Sequence, residues 1–91
     1  MNFMFQFKSK IGSTEFRRLI QIVQSDEEIR IRIIQLLKLD SYQRRNVLNR
    51  WLEQLRRDNA SEKLTEALSF LFDNDIAKKV STIINRHHVK D

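Results

Sequence analysis

The chain has 91 residues, with 17 Lys and Arg against 12 Asp and Glu, a net charge of +5, one glycine, no proline and no cysteine. The missing cysteines exclude disulfides and thiolate metal sites, and no run in the sequence approaches the ~20 apolar residues that cross a bilayer. At this length folding hides only about 60–65 % of the unfolded surface, which leaves a thin core without room for a deep private cavity.

Residues 1–12 read as an apolar N-terminal arm. Phe3, Phe5 and Phe7 alternate with Asn2, Met4, Gln6 and Lys8, the period of an extended segment. The stretch lacks the basic start and small-residue cleavage pattern of a signal peptide, so a cytoplasmic location is the expectation. Gly12 and Ser13 punctuate the chain, and residues 13–88 are expected to form a single helical domain, with a frayed tail over 89–91.

The first helix carries Phe16, Leu19, Ile20 and Val23 at i, i+3, i+4 and i+7, one buried stripe. Ser25-Asp26-Glu27-Glu28 then reads as a capping box with Ser25 at the N-cap. In the second helix seven of the eleven residues from 29 to 39 are apolar, too many for a single face. Such a helix is central in a bundle or is covered by a second subunit. Arg30, Arg32, Gln35 and Lys38 are left as its solvent strip.

Asp40 and Gln43 start the third helix, whose core stripe is Leu48, Trp51, Leu52 and Leu55. Residues 59–62 open the fourth, with Leu64, Ala67, Leu68 and Leu71 inward and Phe70 and Phe72 widening the apolar arc. Asp73 or Asn74 opens the fifth, with Ile76, Val80, Ile83, Ile84 and His87 as its stripe. The expected fold is therefore all-α: a compact bundle of about five short helices, orthogonal or up-down, plus the phenylalanine arm. Apolar clusters offset by 32 and 35 residues, pairing Ile20 with Leu52 and Ile34 with Ser69, make an α-solenoid of helix pairs the alternative.

Little chemistry is left over. His87 and His88 sit about 100° apart on a helix and cannot chelate one ion together. The carboxylates at 26–28 and at 73 and 75 lie at helix starts, where capping and the helix dipole already account for them. A lone Gly12 cannot build a phosphate-cradling loop. No catalytic residue, metal or cofactor is expected, and the chain reads as a non-enzyme.

Two surfaces remain. The apolar surplus at Phe3, Phe5, Phe7, Ile31, Leu39, Phe70 and Phe72 points to a protein–protein interaction module, an adaptor or regulator that associates with itself as a homo-oligomer or with a protein partner. Arg45, Asn46, Asn49, Arg50, Arg56 and Arg57 share the outward face of the third helix, a vocabulary suited to phosphates and base edges. A nucleic-acid-binding regulator is thus the alternative function. Glu53 speaks against it, since it faces the same way and can pair with Arg57 at i+4. Arg44 falls on the apolar side of its helix, as a snorkelling cation or as the partner of an acid such as Asp26, Glu27 or Glu28.

Overall fold

Short polar side chains set where the helices begin. In the computed structural model, which describes residues 14–89 and side chains through Arg86, the elements are α1 (Thr14–Ser25), α2 (Glu27–Leu37), α3 (Ser41–Arg57), α4 (Glu62–Ser69), a 3₁₀ turn (Phe70–Phe72) and α5 (Asn74–Val89). The expected phenylalanine arm lies outside the described residues, as do residues 13, 90 and 91. Asp40 accepts from the Gln43 amide at 2.8 Å, and Ser61 accepts from that of Leu64 at 3.1 Å. Asp73 takes the amides of both Asp75 and Ile76, at 2.8 and 3.2 Å. Each removes an orphan donor from a first turn.

The second helix starts one residue later than the sequence predicts. Asp26, not Ser25, is its N-cap, accepting from the Ile29 amide at 3.1 Å. Ser25 belongs to α1, where its hydroxyl donates to the Gln21 carbonyl at 2.8 Å. The α1 ladder runs on until the Asp26 amide meets the Ile22 carbonyl at 2.9 Å, so only Asp26 has the extended backbone a cap requires. Asn59 is also displaced from its expected role. It closes α3 with φ of 61°, while its amide bonds to the Arg56 carbonyl and that of Ala60 to Leu55. This is a Schellman closure with asparagine in the left-handed position usually held by glycine.

The fully buried centre is Leu19, Ile33, Leu48, Leu52, Leu68, Leu71, Ile76 and Val80, so every helix and the 3₁₀ turn contributes to one core. A solenoid of helix pairs would stack α1 on α3 and α2 on α4. Here α1 packs mainly on α2 and α4, α2 also on α3 and α5, and α3 on α4 and the 3₁₀ turn. The result is a compact all-α bundle in which α2 meets α1, α3 and α5 yet buries only Ile33 and Leu36, so part of its wide apolar arc stays open.

Two arginines hold helix ends from across the fold. Arg30 of α2 donates through Nη1 to the Val23 carbonyl in the last turn of α1, at 3.1 Å. It therefore does more than line the solvent strip. Arg44 is buried, with Nε donating to the Leu71 carbonyl at 3.1 Å and Nη2 to the side-chain oxygen of Asn74. Its hydrogen-bond partners are thus a backbone carbonyl and an amide rather than the acids at residues 26–28. A cation at carbonyls that the helix itself leaves unpaired meets both the dipole and the orphan acceptors.

Candidate protein interface between the second and third helices

The connection between α2 and α3 is three residues long, 38–40, and their facing sides do not close. Two adjoining hollows share Arg32, Gln35 and Trp51. One, of about 310 Å³, is lined further by Leu36, Leu39 and Val47. The other, of about 590 Å³, runs past Ile31 and Leu55 to Asp26, Glu28 and Asp58. Together they form a groove that is apolar at one end and acidic at the other.

Trp51 is the chain's only tryptophan and sits at the middle of the groove. Its ring is buried beneath Arg32, whose Cζ stands 5.5 Å from the ring centroid. That cation–π contact orders the guanidinium without removing it from the surface. Ile31 is 48 % exposed and Val47 42 %. Large aliphatic side chains so open, on either side of a tryptophan, are the apolar surface the bundle leaves uncovered.

The predicted interface residues fall in different places. Ile31 and Leu39 line this groove, Leu39 half-buried against the core. Phe70 and Phe72 flank the buried Leu71 in the 3₁₀ turn. Both are half-buried against the core, bordering a separate hollow of about 400 Å³ with Ser69 and Asp73. Phe3, Phe5 and Phe7 lie outside the described residues. Val47 and Tyr42, the latter 74 % exposed, are surface apolar residues that sequence reasoning missed. Val47 stands one turn before Trp51, and that i, i+4 relation is the signal that could have found it.

Arg45, Asn46, Asn49, Arg50, Arg56 and Arg57 are all exposed along α3, within an arc of about 140°. Glu53 lies 3.7 Å from Arg57 across two exposed side chains, a weak surface pair. Among the described residues no group of three His, Asp or Glu side chains is placed to hold a metal ion, and no described helix is long and apolar enough to cross a membrane. No family model, curated protein or solved structure matches this chain.

Proposed function

We propose that the chain is a small non-enzymatic protein–protein interaction module, an adaptor or regulator in the cytoplasm, that associates with itself through the groove between α2 and α3. The observation that carries this reading is the exposure of Ile31 and Val47 on either side of Trp51. Close to half of each side chain stays open in the monomer, and covering that half stabilises a complex by about 1 kcal/mol. The guanidinium of Arg32 and the acids at one end supply a polar rim, the usual surround of such a patch. Light scattering on the intact chain and on Ile31→Glu and Val47→Glu tests it. The parent is expected to be larger than a monomer, and both variants to shift toward monomer. A parent that stays monomeric at high concentration sinks the proposal.

A second reading uses the exposed arc of α3 for nucleic acid, favoured by its four arginines and two asparagines with no buried role. It predicts binding that weakens steeply with salt, and loss of affinity on Arg50→Ala and Arg57→Ala. The absence of binding to duplex or single strands at low salt removes it.

A further inference from the structure

The geometry points to a specific occupant of the groove between α2 and α3: residues 3–10 of a second copy of this chain. The assignment rests on the self-association reading above and names the segment that does the associating. The groove has an order. Leu39 and Val47 lie at one end, Trp51 and Ile31 follow, and Asp26, Glu28 and Asp58 close the other. Residues 3–10 carry the matching order, with Phe3, Phe5 and Phe7 followed by Lys8 and Lys10.

The lengths agree as well. From Leu37 back to Ile31 α2 gives about 9 Å of groove wall, which Leu39 extends beyond the helix end, and three alternate phenylalanines on one side of an extended segment span about 13 Å. The two lysines then fall at the acidic end. Pairing of this kind sets direction and register more than it sets affinity.

The tether favours a segment from another copy. Thr14 stands at the opposite end of α1 from Ser25 and the Asp26 cap, about 16 Å of helix away. The four steps from Lys10 to Thr14 reach about 14 Å at full extension. Within one chain the lysines meet the acidic end only with this stretch drawn almost straight, a conformational-entropy cost that a segment donated by a second copy does not carry.

A charge exchange on the full chain tests this. One variant carries Lys8→Glu and Lys10→Glu; the other carries Glu28→Lys and Asp58→Lys, both at exposed positions. Each alone places like charges together and is expected to weaken self-association about tenfold at low salt. An equimolar mixture restores both contacts in the heterodimer alone, so it should sediment as a dimer where neither variant does. Parental melting temperatures for both variants show that each has folded, and a chain bearing all four changes should associate as the parent does. Variants that associate like the parent, or a mixture that stays monomeric, overturn the assignment while self-association of the parent still stands. A parent that does not associate overturns the functional reading and this inference together.

Discussion

The Nε of Arg44 donates to the carbonyl of Leu71 across 27 residues at 3.1 Å, and this bond joins α3 to the 3₁₀ turn where the chain reverses into α5. Leu71 is fully buried, so its carbonyl has little access to water if the arginine is removed. Replacing Arg44 with methionine keeps the aliphatic bulk and deletes the donors. The expected cost is about 2 kcal/mol, the range for a hydrogen bond from a charged group, read as a lower denaturation midpoint. Arg44→Lys should recover little of it, since one ammonium cannot reproduce the planar fork that reaches both Leu71 and Asn74. A variant as stable as the parent would show that the contact contributes nothing.

The start of α2 makes a sharper comparison between neighbours. Asp26→Ala removes the oxygen that accepts from the Ile29 amide and should cost about 1 kcal/mol. Ser25→Ala deletes only a bond back to the Gln21 carbonyl and should stay within about 0.5 kcal/mol of the parent. The reverse order of costs would return the cap to Ser25.

Asn59 sits in the left-handed region with φ of 61°. A β-carbon there costs about 1–2 kcal/mol, which asparagine partly offsets through local hydrogen bonding. Asn59→Gly should therefore be neutral or stabilising, and Asn59→Val destabilising by about 1 kcal/mol. Equal melting temperatures for the two variants would contradict the Schellman closure.

Ile31 and Ile33 are two positions apart on α2, one 48 % exposed and the other fully buried. Ile33→Ala should cost about 2–5 kcal/mol through the cavity it leaves. Ile31→Ala should cost the monomer only about 1 kcal/mol, since half the side chain is already open, and should weaken association. Equal effects on folding would place both residues in the core.

Much of the fold was legible because its signals are local. Asp40, Ser61 and Asp73 each precede an apolar stripe, and three-residue capping geometry is written in adjacent residues. The errors arise where one residue type serves two ends. Ser25 and Asp26 are both good caps, and the choice between them depends on how far the α1 ladder extends. Asn59 suits a helix start and a left-handed stop alike. The acceptors of Arg30 and Arg44 were not legible at all, since they include backbone carbonyls, which carry no signature in the side-chain sequence.

The candidate site follows the same division. The apolar excess of residues 29–39 pointed to Ile31 and Leu39, because more apolar residues were present than one stripe could use. Phe70 and Phe72 belonged to the same excess, yet a tight 3₁₀ turn packs both against the core. Val47 escaped notice because Leu48, its neighbour, already completed the stripe of α3. The groove itself depends on how two helices splay, a tertiary property outside the reach of periodicity.

Sedimentation equilibrium of the intact chain, from low to high concentration at moderate salt, tests the central claim most directly. Self-association through the groove predicts a mass that rises from one chain toward two. A constant monomer mass across the whole range would contradict it.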